Sequence, residues 1–224
     1  MQMSIRDVLD IFGVSESTLY RWIQKKKMPC VVVNEQYRFH PVDLLGWALE
    51  QKVALTPRLL ALSEQNGAGP GVLSGALKRG GIFYGVEGRN KKEALERVVG
   101  LIPLPSEADR PPLLEMLMAR ESLESTALGN GIAIPHVKNP LVLDTQEAMA
   151  NLCFLKSPVD FGAFDGKPVS ILFTLVSPSV KTHLAVLSRL AFCLQDPGFL
   201  KCLHDVAPQE EILARLVVLE SKRR

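Results

Sequence analysis

The residues with the clearest chemical potential in this chain run Gly129-Asn130-Gly131-Ile132-Ala133-Ile134-Pro135-His136. Two glycines flank an asparagine, which is the composition of a compact turn. An extended apolar stretch then delivers one histidine behind a proline. A turn and a stiff strand end of this kind hold an imidazole at a surface with a fixed ring orientation. A neutral imidazole nitrogen is a good nucleophile toward phosphorus, provided that partners stabilise charge on the phosphoryl oxygens. A lone histidine is ordinarily a satisfied polar residue, so the chemistry depends on finding those partners. His40 and His204 have no comparable context and read as structural or surface residues. Arg189, mid-helix, reads as a surface or ion-pair residue.

The four cysteines, Cys30, Cys153, Cys193 and Cys202, form no C-x-x-C pair and have no ligand-like histidines close in sequence, so no metal site is expected. They read as small core residues of a reduced protein. With 47% apolar and 22% charged residues in 224, the chain suits one large or two small globular domains. Its apolar runs are short, such as Val169 to Val176. None approaches the ~20 residues of a membrane span, and the amino terminus has no signal-peptide pattern. The expectation is a cytoplasmic protein with no membrane contact.

Net charge is only +2, but residues 1–58 hold eight Lys or Arg against six Asp or Glu, while the remainder holds eighteen of each. The excess positive charge therefore lies in the first quarter, mostly between Arg21 and Arg38. That asymmetry points to an amino-terminal surface for an anion such as DNA.

The elements that must carry these residues follow from periodicity. Residues 4–12 place Ile5, Val8, Leu9 and Phe12 at helical spacing behind Ser4 as N-cap. Gly13 makes a tight corner, and Ser15 caps a second helix to about Lys25, ended by Met28-Pro29. Two short strands surround Asn34-Glu35-Gln36. Pro41 opens a third helix to Lys52, and Thr56–Gln65 reads as another. The Gly- and Pro-rich run 66–71 is the clearest linker in the chain. Beyond it, strands are expected at 82–86, 131–134, 148–155 and 169–176. Helices are expected at 91–101, 111–123, 182–194, 198–203 and 209–221. This alternation implies an α/β fold, a mixed sheet sandwiched by helices, preceded by a small winged helix–turn–helix. The expected division is 1–65, a linker at 66–72, and 73–224.

In a winged helix–turn–helix the second helix enters the major groove. Its outward residues here are Ser17, Thr18, Tyr20, Arg21 and Lys25. Lys26 and Lys27 are placed to grip phosphate, and Arg38, with Tyr37, forms the wing. SIRDVLDIFGVSESTLYRWIQKKKMP resembles the excisionase-like, MerR-related DNA-binding family over roughly residues 3–50. The resemblance implies binding to duplex DNA, or drift into an interaction domain. A single module of this size implies a homodimer for specific binding.

The carboxy-terminal run GNGIAIPH resembles the acceptor-site motif of the fructose–mannitol class of phosphotransferase-system enzyme IIA domains, including the nitrogen-regulatory branch. KKEALERVVGLI, LLEMLMARESLESTALGNGIAIPH, VDFGAFDGKPVSILFTLVSP and HLAVLSRLAFCLQDPGFL extend the similarity over about residues 80–220. The resemblance implies His136 as the phosphorylated residue and His183 as the second active-site histidine, at a helix start whose amides favour an anion. It implies Arg120, of an Arg-Glu pair, as a balance for developing charge. Thr126 and Asn130 would shape the loop. An apolar patch for the donor would draw on Ile132, Ile134 and Phe164.

The resemblance also implies no cofactor, a phosphocarrier protein of the HPr type as donor, and a IIB domain or a regulatory kinase as a further partner. Read together, the modules imply a regulatory phosphocarrier. The alternatives are a sugar-transport IIA component passing phosphate to a IIB domain, and a transcription regulator with an inactive IIA scaffold.

Overall fold

The computed structural model describes residues 3–26, 28–51, 53, 71–123, 125–137 and 145–221. The helix expected at 56–65 and most of the expected linker lie outside the described residues.

Helix α1 (Ile5–Phe12) starts in a capping box: the Asp7 carboxylate accepts from the Ser4 backbone N–H at 2.7 Å, and Ser4 Oγ accepts from Asp7 N–H. The same bonds hold the Asp7 carboxyl below its ordinary range. Gly13 takes φ 62 and closes the helix by donating its N–H to Leu9 O. Helix α2 (Glu16–Lys25) starts at Ser15, as its N-cap chemistry requires. Strands β1 (Val31–Val33) and β2 (Gln36–Arg38) pair antiparallel through Asn34 and Glu35, both at positive φ, a two-residue hairpin of the I′ kind. Helix α3 (Pro41–Glu50) completes the module. Trp47 of α3 donates its indole N–H to Lys26 O at 2.9 Å and packs on Phe12 and Trp22, so the three helices share one aromatic core.

A helix that periodicity does not reveal, α4 (Val72–Gly80), opens the second part. Its N-cap is Gly71, which has no side chain to bond the first amides. Glu220, near the opposite end of the chain and 3% exposed, takes that role. Its carboxylate accepts from Leu73 N–H at 2.8 Å and from Ser74 N–H at 3.1 Å. A buried carboxylate at a helix amino terminus satisfies orphan amides and meets the favourable end of the helix dipole. At the other end of α4, Gly80 lies against the sheet: a Cβ there would sit 2.2 Å from Ala150 O.

The sheet has order β3-β6-β7-β5-β4, formed by β3 (Gly81–Val86), β4 (Ala127–Gly129), β5 (Ile132–Ala133), β6 (Met149–Val159) and β7 (Val169–Val176). β3 runs parallel to β6, β6 antiparallel to β7, β7 parallel to β5, and β5 antiparallel to β4. One face carries α5 (Lys91–Leu101) and α6 (Arg110–Leu123), packed over Cys153, Leu155 and Leu172. The other carries α4, α7 (Val180–Cys193), α8 (Pro197–His204) and α9 (Gln209–Ser221), packed over Leu152, Phe154, Phe173 and Leu175. Alternate residues of β6 and β7 thus serve opposite layers, as a pleated strand requires. The mixed α/β sandwich and the preceding helix–turn–helix are as expected. The strand expected at 148–155 continues to Val159. β4 is an addition, since its three residues carry no readable alternation.

The two parts do not have separate cores. A single apolar cluster runs from Met3, Phe12 and Trp47 through Ala48 into Leu187, Leu190 and Phe173. Helix α3 lies against α7 and β4.

Candidate functional site

The turn before the histidine is built from three successive left-handed residues, Gly129 (φ 82), Asn130 (φ 54) and Gly131 (φ 73). Asp165 fixes it by accepting from Asn130 N–H at 2.8 Å. At Gly129 a Cβ would meet Asp165 Oδ2 at 2.9 Å and the Phe164 ring at 3.0 Å, so glycine is required there twice over. β5 then leads to His136, which continues the strand direction and forms a bridge to Leu175 of β7.

The ring of His136 is oriented by its own segment. Nδ1 lies 2.7 Å from Ile134 O. A carbonyl oxygen only accepts, so Nδ1 bears the proton and Nε2 keeps the lone pair. The second imidazole, His183, stands on the first turn of α7 with its ring centroid 5.4 Å from that of His136 and the planes inclined by 32°. Both rings are inside the protein, with His136 5% and His183 0% exposed. Burial drives the His136 pKa down to about 4; the Ile134 carbonyl opposes the shift, Arg120 adds to it and Asp43 opposes it. Burial drives His183 down to about 3, helped by His136 and His40. Both rings are therefore neutral at physiological pH. Neither ring nitrogen of His183 has a hydrogen-bond partner among the described residues.

The structure brings His136 and His183 together, and the charge of Arg120 reaches the His136 ring. The expectation of a surface imidazole is corrected: His136 is 5% exposed, and helix α3 packs against the neighbouring α7 and β4. Ile132 and Ile134 are corrected likewise: each is 2% exposed and belongs to the core, whereas Phe164 is 58% exposed. At the start of α7, two amides are already engaged, Thr182 N–H with Ser179 Oγ and His183 N–H with Ser179 O. His40, read as structural or surface, stands close enough to His183 to act on its charge.

Thr126 is held by Glu121, the second residue of the Arg-Glu pair. Its hydroxyl donates to Glu121 Oε2 at 2.6 Å and its N–H to both carboxylate oxygens. Lys91 Nζ lies 3.2 Å from Glu121 Oε1 and donates to Phe161 O at 2.9 Å. Thr126 O in turn accepts from Ile134 N–H. This buried network ties the segment leading to His136 to α5 and α6. The sequence does not single out Glu121 or Lys91 as site residues. The adjacency of Glu121 to Arg120 and its spacing of five from Thr126 were the available signals.

In the amino-terminal module, Ser17, Tyr20, Arg21, Lys25 and Lys26 are exposed on or just beyond α2. Thr18 is half-buried, with its hydroxyl 3.1 Å from Ser15 Oγ in the helix cap. Arg38 donates to Gln36 Oε1 at 2.6 Å on the wing. Lys27 lies outside the described residues. Among the described residues no group of three or more His, Cys, Asp or Glu converges as a metal site, and no helix is long and apolar enough to cross a membrane.

Fold and site together define a histidine-centred mixed α/β domain carrying an attached helix–turn–helix. Residues 76–217 match the family model for the phosphoenolpyruvate-dependent sugar phosphotransferase system, EIIA 2, and residues 3–52 match a helix-turn-helix domain model. The chain belongs to the EIIA 2 family. Among its relatives, the nitrogen regulatory protein of Pseudomonas aeruginosa is 39% identical over 146 residues, 63% of this chain and 92% of that protein. That of Escherichia coli is 37% identical over 142 residues, 62% of this chain and 86% of that protein. The crystal structure of the nitrogen regulatory protein IIA-Ntr from Neisseria meningitidis superposes with a TM-score of 0.53 at 32% identity, covering 68% of this chain and 99% of that one.

Proposed function

We propose that this protein is a regulatory phosphocarrier in which His136 accepts a phosphoryl group from a phosphohistidine carrier protein of the HPr type, and in which the amino-terminal module binds duplex DNA. The observation that carries the reading is the tautomer lock: Ile134 O holds the proton on Nδ1 and leaves Nε2 as the nucleophile. The lone pair of Nε2 forms the new N–P bond as the donor's N–P bond breaks, and the donor imidazole leaves with that electron pair. The His136 ring, now bonded at both nitrogens, carries a positive charge that the Ile134 carbonyl stabilises. Arg120 balances the phosphoryl oxygens, and His183 offers a ring nitrogen to them. No cofactor enters this step.

The reading divides the chain into the module at 1–65, a linker at 66–72 and the phosphocarrier domain at 73–224. The exposed Tyr20, Arg21, Lys25 and Lys26 form the DNA face, and a homodimer supplies the second half-site. Kinship with nitrogen regulatory proteins favours regulation over sugar transport, with a kinase or a IIB domain downstream. The test is incubation with labelled phosphoenolpyruvate and the general phosphotransferase proteins. Acid-labile label should appear on the wild type and be absent from His136→Ala; equal labelling of both overturns the assignment.

A further inference from the structure

We infer that helix α3 is an intramolecular cap on the phosphoryl-acceptor site: it occupies the face a donor protein must use, so docking of α3 and phosphorylation of His136 exclude each other. This rests on the reading of His136 as the acceptor.

The contact is a packed interface. Helix α3 lies against α7, which carries His183, and against β4, which leads into the acceptor turn. Ala48 and Val53 form one wall of a cleft whose other wall is Leu128, Ile132, Ala191 and Leu194. Ala48 and Ala191 are both 0% exposed. The first turn of α3 brings the charge of Asp43 to the His136 ring, while His40, just before it, acts on His183.

Transfer between two proteins needs donor nitrogen, phosphorus and acceptor nitrogen in line, with the acceptor nitrogen roughly 3 Å from the donor-bound phosphorus before reaction. With the His136 ring only 5% exposed beside one that is 0% exposed, the docked α3 leaves little room for a folded donor to bring its phosphorus in line. Opening must therefore precede transfer. Once His136 is modified, up to about two negative charges reside on its phosphoryl oxygens, in a place already facing the Asp43 carboxylate. Like-charge repulsion and the added volume both oppose the return of α3. The coupling runs through a difference in contacts between two states, as linkage requires.

Two features make the movement a rigid-body one. Trp47 anchors α3 to its own module through Lys26 O, Phe12 and Trp22, so α3 leaves with the module. The outward face of α2 is exposed while α3 is docked, so the docked chain already presents its basic surface. Phosphorylation then changes how that surface is held, and by reciprocity a DNA that prefers the released module promotes phosphorylation by the same factor.

The experiment uses the full chain with Val53→Glu or Leu128→Glu, two half-buried positions on opposite walls of the cleft. Two rates are measured. One is carbethoxylation of His136 and His183 by diethyl pyrocarbonate, read by peptide mass spectrometry. The other is labelling of His136 from phosphoenolpyruvate through the general phosphotransferase proteins. Each variant should raise both rates by about 5- to 150-fold, the span of ordinary coupling. In the unmutated chain, His40 should grow several-fold more reactive once His136 is phosphorylated, a measurement that needs no variant to fold. Unchanged modification and labelling in folded variants, with His40 indifferent to phosphorylation, overturns the cap while leaving His136 as acceptor. Faster modification with no label on His136 in any form leaves the cap standing and removes the acceptor reading.

Discussion

The imidazoles of His136 and His183 face each other with centroids 5.4 Å apart, one held by a strand end and the other by a helix start. Of the two, and among the described residues, only His136 has a ring nitrogen tied to the backbone. On the proposed reading, that asymmetry leaves one ring to accept a phosphoryl group and the other to support it. His183→Ala should therefore label slowly but still on His136, as should Arg120→Ala. Loss of one preorganised donor commonly costs about 10²–10³ in rate. Single-turnover labelling with phosphopeptide mapping checks this; label on another residue, or an unchanged rate, removes the assigned roles.

Glu121 is a second point of leverage. Its carboxylate is buried, bonded by Thr126 and paired with Lys91. Truncation leaves the Thr126 N–H and hydroxyl and the Lys91 ammonium without their acceptor, and breaking a buried pair costs about 3–5 kcal/mol. Glu121→Ala should lose that much in urea denaturation, and Glu121→Gln, which keeps the shape, should lose less. A cost below about 1 kcal/mol for Glu121→Ala would falsify the anchoring role.

The two histidines also set a pH dependence. Their folded pKa values, about 4 and about 3, lie below the value of about 6.5 for a free imidazole. The unfolded chain therefore binds more protons below about pH 6.5. Stability is fully present above that pH and falls as pH drops through the window toward 4 and 3, by up to about 2.7 kcal/mol per pH unit for two protons. Asp43, Arg120 and His40 face the rings and shape the curve. Urea midpoints from pH 8 to 5 should show the fall, and His136→Asn should flatten it. Identical slopes in wild type and variant count against burial as the cause.

DNA binding by the amino-terminal module should be strongly salt-dependent, because phosphate contacts release counterions. Arg21→Ala and Lys25→Ala should each weaken binding across sequences and lower the salt slope by about 1. Anisotropy titrations of the full chain between 50 and 200 mM salt measure this. Absence of binding at the low end would favour an interaction domain over a DNA reader.

Much of the architecture was legible in local chemistry. Ser4 with Asp7, Ser15, Gly13 and the Asn34-Glu35 turn mark boundaries through short-range bonds and φ preferences that depend on neighbours alone. The same holds for the Gly129-Asn130-Gly131 turn, whose backbone needs residues tolerant of positive φ. The run GNGIAIPH, with Arg120 and His183 at matching positions, points to the candidate site.

Long-range contacts decided the rest. Helix α4 was invisible because its cap, Glu220, comes from the far end of the chain. Glu121 and Lys91 meet only because α5 and α6 pack side by side. Ile132 and Ile134 turned inward because β5 lies inside the sheet between β4 and β7, with its apolar side chains in the core. Above all, the sequence places His136 in a chemical context but carries no sign that its ring is buried. Burial belongs to the assembled surface: whether an imidazole is open or covered depends on which distant apolar faces find each other, and Ala48 and Ala191 carry no local mark of that meeting.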